Sequence, residues 1–449
     1  MVNVSCRTPI HLYNYEPGGV KPLPVCKSEK MPEPSPAKKS RLSSIPGRPI
    51  VCALVLFAFI NLALAAIKPN LQVKPTELPV RLSWEWWRTK SYLAEPTAPD
   101  VVLMGSSLLM IPASMVDADF LNRNIDAVKH PHSEFLEQRL KEAGATRKIS
   151  CFNFALPGAI ISDQYLTAHS LFTGNRAPKV IVLGLSLRDF IDSGVDSATS
   201  TPTYQFFRHF DKTNDVKDLL TVSPQATAEE FYNKINYLSD KRLELQAYFA
   251  RPIKEAGATA LVNIPVNSKF DATKSQEKGD GDILGNATVT EGNFIMPPHR
   301  VLPWKDNTRE YKKRFASANE KLFSNQMAFF DKLLADAKAN HIKVVVANMP
   351  LTDKNMSLMP KGMYEKYLNE VNIRAQRGDL SLVDLNTQWV FQDSDFQDTA
   401  HMNAAGGAKF MDLLAKSISM NRKVREALSI NVSPETERQT AGKSSPSLY

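Results

Sequence analysis

Asp100-Val101-Val102-Leu103-Met104-Gly105-Ser106-Ser107-Leu108 is a short, continuously apolar run closed by a Gly-Ser-Ser turn. A run without polar alternation suits a strand covered on both faces, as in a parallel sheet packed between helices. Four further runs share its character: ISCFNFAL (149–156), KVIVLGL (179–185), IKVVVANM (342–349) and LSLVDL (380–385). Each ends at a polar or turn-forming boundary. The intervening stretches predict helices. HSEFLEQRLKEAG (132–144) carries Phe135, Leu136 and Leu140 at helical spacing before a glycine, and NEKLFSNQMAFFDKLLADAKAN (319–340) extends the pattern over six turns.

Strand alternating with helix predicts an α/β fold, a flavodoxin-like three-layer sandwich around a five-stranded parallel sheet. About 155 residues separate the third run from the fourth, too many for one crossover. Residues 195–315 are therefore expected to form an insertion. It is mainly helical through AEEFYNKINYLSDKRLELQAYFARPIKEAG (228–257) and then loop-like through SKFDATKSQEKGDGDILGN.

The chain has 449 residues, 43% hydrophobic and 23% charged, which excludes collagen-like, coiled-coil and wholly disordered classes. The net charge of +8 is concentrated at the front, where residues 1–48 hold eight Lys/Arg against three acids. What remains is too weak and dispersed for a nucleic-acid footprint, so no nucleic acid is expected. Residues 1–48 and 431–449 are rich in Pro, Ser and Lys and are expected to be disordered tails.

From Pro49 to Ile67, PIVCALVLFAFINLALAAI is free of charge, long enough for a slightly short membrane span. The preceding Lys38, Lys39, Arg41 and Arg48 place the N-terminus in the cytoplasm and residues 68 onward outside, on the cell membrane. The alternatives are a buried helix of a soluble protein and a cleaved signal peptide, since Ala63-Leu64-Ala65 resembles a cleavage site, although a 48-residue leader would be long. Cys151 stands alone after the span, so the outer part holds no internal disulfide, and no zinc pattern appears.

Open α/β sheets bind ligands at the carboxyl ends of their strands. A serine after the first strand is an ordinary helix cap or an exposed nucleophile beside free helix amides. Near the other end, Asp398-Thr-Ala-His401 puts a carboxylate three residues before an imidazole, the pairing that makes a serine nucleophilic. The plainer reading is that Asp398 caps the helix beginning near Asn403 and His401 is a surface residue. The second run ends in Asn153-Phe-Ala-Leu-Pro-Gly158 and the third in Gly184-Leu-Ser186-Leu-Arg188-Asp189. Asn348, Thr352 and Tyr364 follow the fourth run, as pocket residues or as turn and cap residues. His130-Pro-His132 lacks carboxylates at ligand spacing and reads as a solvated loop, with no metal and no cofactor expected.

Taken in chain order, these four blocks resemble the SGNH, or GDSL-type, hydrolase superfamily. The Gly-Ser-Ser form resembles its membrane-anchored bacterial branch, which includes the alginate acetylation proteins and the D-alanyl-lipoteichoic acid biosynthesis protein. The resemblance implies Ser107 as nucleophile, His401 as base, Asp398 as its orienter and Gly158 as an oxyanion donor. Two departures stand out: Ser106 replaces the Asp of Gly-Asp-Ser, and Ser186 occupies the place of an Asn donor. Either the Ser186 hydroxyl, the Ser107 amide or the charge of Arg188 would then complete the oxyanion site, unless Arg188 and Asp189 merely form a local salt bridge. The implied activity is a serine acyltransferase or esterase working on O-acyl groups, O-acetyl above all, of a cell-surface polysaccharide, with a membrane-bound O-acyltransferase as partner. A non-catalytic glycan-binding or scaffold protein and a lipid esterase remain as alternatives.

Overall fold

The computed structural model describes residues 47–431 except 68–70, 75–76, 79–82, 196–197, 209–227, 229–230, 233–235, 256–293, 301–302, 317–318 and 387–389. The expected tails therefore lie almost wholly outside the described residues, as does the Gly, Asp and Lys-rich loop. The chain divides into two compact units, Met1–Leu56 and Phe57–Tyr449. What is described of the first is the start of the apolar helix Gly47–Ile67. Its segment Pro49–Ile67 is long and apolar enough to cross a membrane, and only 6% of its most apolar window is buried against protein.

The second unit is built on a five-stranded parallel sheet, as the continuous apolar runs predict. Its strands are β1 (Val101–Gly105), β3 (Cys151–Asn153), β4 (Val180–Leu185), β6 (Lys343–Asn348) and β7 (Ser381–Asp384). They lie in the order β3-β1-β4-β6-β7, and a two-residue pair, β2 (Ile125–Asp126) with β5 (Ile295–Met296), forms a separate antiparallel ribbon. Every residue of β1 and β4 is buried. Complete burial requires cover on both faces and explains why these strands show no alternation.

One face carries helices Ser107–Phe120, Glu134–Glu142 and Ala404–Met420, which pack on one another. The other carries Ile161–Leu171 and Glu320–Ala339, joined by Met363–Gln376 through the ion pair of Arg374 with Asp331. The helical spacing that predicted Glu134–Glu142 and Glu320–Ala339 corresponds to their buried stripes. Phe135, Leu136 and Leu140 face the core in the first, and Phe329, Phe330 and Leu333 in the second.

Counted along the sheet, the strands follow the flavodoxin-like sequence 2-1-3-4-5, which reverses direction between β1 and β4. The crevice at that reversal is where such sheets offer a site. Gly105 and Gly184 sit opposite each other there, and a Cβ on Gly105 would stand 2.7 Å from the Gly184 carbonyl oxygen. Only glycine lets the two strand ends come so close.

The run 149–156 is a shorter strand than expected because it leaves regular geometry after Asn153. It still follows β1, with the Phe154 and Leu156 amides donating to the Leu103 and Gly105 carbonyls at 2.7 and 3.0 Å. Between β4 and β6 the described part of the insertion holds helices Pro202–Phe207, Tyr237–Asp240, Arg242–Glu255 and Thr308–Arg314, together with β5. The ribbon of β2 with β5 was not expected, since two-residue strands paired across 170 residues leave no periodicity to read.

Candidate active site

Ser107 is the first residue of helix Ser107–Phe120, so its amide and that of Leu108 belong to the turn in which a helix has no internal acceptors. Ser106 occupies the cap position, yet its hydroxyl is buried and finds no partner among the described residues. The hydroxyl of Ser107 instead meets the imidazole of His401, with Oγ 2.9 Å from Nε2. Residues 294 positions apart are joined by this contact.

Behind the imidazole, Asp398 Oδ2 lies 2.7 Å from His401 Nδ1. Asp398 Oδ1 accepts the backbone amides of Ala400 and His401 at 2.8 and 2.7 Å. Burial raises the carboxyl's affinity for a proton, but the adjacent imidazole and these amides outweigh it and hold the group below its ordinary value. An ionised Asp398 fixes the proton of His401 on Nδ1 and leaves the Nε2 lone pair facing Ser107. The helix Ala404–Met420 is capped by Asn403, whose side chain accepts from the Gly406 amide. Asp398 is thus not the helix cap, and His401, at 8% exposure, is not a surface residue.

Gly158 follows the segment that runs beside the end of β1, and its φ of 72° is a left-handed turn that glycine adopts without strain. Its carbonyl accepts from Arg188 Nη2 at 2.8 Å and that of Ala159 from Arg188 Nη1 at 3.1 Å. Arg188 is itself fixed by Asp189 at 3.0 Å and Asp192 at 2.9 Å. The guanidinium therefore clamps the Gly158 turn through its carbonyls, which leaves the turn's amide side for other work. Ser186 donates its amide to Asp189, while its hydroxyl is buried and unpaired among the described residues. Ser107, His401 and Asp398 are thus joined in one chain, and Gly158 and Arg188 form a second cluster.

Asn348, Thr352 and Tyr364 are turn, cap and network residues. Asn348 bonds Tyr364, Tyr367 and Asp384 at the ends of β6 and β7. Thr352 caps Asp353–Met356 and donates its hydroxyl to the Thr399 carbonyl at 2.8 Å.

The reading of His130-Pro-His132 as a solvated loop without carboxylates is corrected. His130 Nε2 lies 2.7 Å from Glu134 Oε2 and 3.4 Å from Asp117 Oδ2. Glu134 was only four residues away, whereas Asp117 arrives from the preceding helix. Donor atoms of these three residues lie within 4.8 Å of one another, close enough to share a metal ion. Asp117 is, however, already committed to the helix Glu134–Glu142, accepting the Glu134 and Phe135 amides at 3.2 and 2.9 Å. Burial alone would lower the proton affinity of His130, but the two carboxylates prevail and push its pKa up to about 9. A protonated imidazole holding a helix cap accounts for the cluster.

Residues that the sequence reading did not single out brace the site. Asn307 Oδ1 accepts the amide of Thr399 at 3.1 Å and also its hydroxyl, and the Lys305 amide donates to the Gln397 carbonyl at 3.0 Å. Arg314 reaches Asp192 at 2.7 Å. All three come from the returning end of the insertion, where no motif marked them.

The chain belongs to the family DUF1574, described as a protein of unknown function, whose model matches residues 137–418. Among curated proteins none matches. The solved structures that the chain matches include a candidate acylhydrolase from Bacteroides fragilis NCTC 9343. It is 13% identical, with a TM-score of 0.31, and the match covers 76% of this chain and 94% of that one.

Proposed function

We propose that this protein is a membrane-anchored serine acyltransferase or esterase of SGNH type, acting through an acyl-enzyme at Ser107. The observation that carries the reading is the continuous chain from Ser107 Oγ through His401 to Asp398, at 2.9 and 2.7 Å. A buried, ionised carboxylate behind an imidazole whose free nitrogen faces a serine hydroxyl is the arrangement needed to make that serine nucleophilic.

In the first half-reaction Ser107 Oγ attacks the acyl carbon as its proton moves to His401 Nε2. The carbonyl electron pair moves onto oxygen, and the amides of Ser107 and Gly158 are the donors assigned to that charge. The C–O bond to the leaving group then breaks, and His401 returns the proton to the departing alcohol. In the second half-reaction a sugar hydroxyl or water attacks the acyl-serine and gives its proton to Nε2. Collapse releases Ser107, which takes that proton back. The Asp398 carboxylate stays ionised throughout and stabilises the imidazolium formed in each half. Arg188 acts from behind, holding the Gly158 turn.

The apolar segment 49–67 favours an acceptor close to a membrane. We assign it as a single span with the N-terminus cytoplasmic and the catalytic domain outside. The acceptor assigned is a free hydroxyl of a surface polysaccharide, which the transfer O-acetylates, and a membrane-bound O-acyltransferase is the partner that delivers the acyl group. Ser186 in place of an amide donor is the feature that favours the second reading, a glycan-binding protein without turnover.

The test uses the full chain in detergent with p-nitrophenyl acetate, a long-chain p-nitrophenyl ester and an acetylated oligosaccharide. Acetyl release or transfer that is lost in Ser107→Ala supports the proposal. Faster cleavage of the long-chain ester turns it toward a lipid esterase. Glycan binding with no turnover and no effect of Ser107→Ala selects the binding protein.

A further inference from the structure

We infer that the returning arm of the insertion, residues 304–314, positions the Asp398–His401 loop, with Asn307 as the positioning residue; this rests on the acyl-serine reading above. Three contacts carry the inference. The Lys305 amide donates to the Gln397 carbonyl, so the arm and the loop run as a short parallel bridge at Lys305 and Asp398. Asn307, 5% exposed, accepts both polar hydrogens of Thr399, the residue directly after Asp398. Thr399 is itself fully buried, so an unpaired amide and hydroxyl there would be costly.

The rest of the surroundings shows why Asn307 matters more than its neighbours. Thr399 is also held by Thr352, through its carbonyl, and by Asn355, which donates to its hydroxyl at 3.0 Å. Those partners come from the segment after β6. Asn307 alone among these partners comes from the insertion, and it alone accepts the Thr399 amide. At its other end the arm meets the second cluster. Arg314 donates to Asp192, which also accepts from Arg188, the clamp on the Gly158 turn. Tyr311, buried between these ends, feels the charges of both Arg188 and Asp398. One segment of the insertion therefore touches the supports of the base and of the proposed oxyanion turn.

The test compares wild type, Asn307→Ala and Asn307→Asp as full chains in detergent. Two quantities are read: the rate at which a fluorophosphonate labels Ser107, and the downfield proton resonance of His401 Nδ1–H, which reports the bond to Asp398 whether or not the protein turns over. Asp keeps the accepting oxygen, and although Asn307 stands at the cap position of Thr308–Arg314 its side chain makes no capping bond there, so neither variant removes one. The expected result is labelling slowed by up to about 10²-fold in Asn307→Ala, the loss expected when a reacting group is slightly misplaced. The resonance should be broadened or shifted in that variant, and both readouts restored in Asn307→Asp. A folded Asn307→Ala with wild-type resonance and labelling rate overturns the inference, as does an Asp variant that rescues neither. Wild type that shows the resonance but is never labelled would instead remove the acyl-serine reading, while the response of the resonance to Asn307→Ala would still decide the role of the arm.

Discussion

Two histidines of this chain, the buried His401 and the part-buried His130, face carboxylates and differ in what completes the cluster. His401 has one carboxylate, Asp398, on Nδ1 and the hydroxyl of Ser107 on Nε2. His130 has two carboxylates, Asp117 and Glu134, both near Nε2, and no hydroxyl partner among the described residues. Two anions around one nitrogen stabilise a proton there and make an imidazolium that anchors a helix. One anion behind the ring, with a hydroxyl in front, instead leaves a nitrogen lone pair directed at an O–H. The same residue types serve structure in one place and are arranged for proton transfer in the other, and the number and side of the anions decide which.

The strongest way to break this contrast is to remove the members of the His401 chain. Ser107→Ala or His401→Ala should reduce ester turnover by of order 10⁶-fold, the scale for losing a nucleophile or its base, measured as kcat with an activated ester. Asp398→Asn should cost about 10⁴-fold, because an amide in that position no longer fixes the proton on Nδ1. In each variant the folded protein should keep its melting temperature within a few degrees, which separates lost chemistry from lost structure.

The opposite expectation applies to His130→Gln. Turnover and labelling should be unchanged, while stability falls by about 1–3 kcal/mol, the loss of a partly buried ion cluster tempered by the partial exposure of Glu134. Its pH dependence carries a definite sign. Because the folded pKa of about 9 lies above the ordinary 6.5, the contribution of the charged His130 is fully present below about pH 6.5. It is lost as the pH rises towards 9 and beyond. Burial raises the Asp117 carboxyl to about 6, so its charge is lost below that pH, and melting curves of wild type and His130→Gln should differ most near pH 6.5 and converge on the alkaline side. A constant difference across that range would show that His130 does not act through its charge.

Much of this architecture was legible in the amino-acid sequence for simple reasons. Val101–Gly105 and Val180–Leu185 are apolar at every position because both faces are covered, and the buried stripe of Glu320–Ala339 repeats at the helical period. Ser107, Gly158, Asp398 and His401 could be singled out because each sits at a strand end or in the last loop, where short spacings carry the chemistry. The supports were not legible. Asn307 meets Thr399 across 92 residues and Arg314 meets Asp192 across 122, and no local pattern encodes such pairs. Asp117 was missed for a related reason, since it caps a helix that begins 17 residues later. Arg188 was visible as a charge near the site, but its direction towards the Gly158 and Ala159 carbonyls follows only from the fold.

The most direct test of the central claim is the intact mass of the full chain after brief exposure to p-nitrophenyl acetate and an acid quench, with the adduct mapped by peptide fragmentation. The account predicts one acetyl group on Ser107 in wild type and in His130→Gln, and none in Ser107→Ala or His401→Ala. A folded wild-type protein that carries no acetyl group, or carries it on a residue other than Ser107, would contradict it.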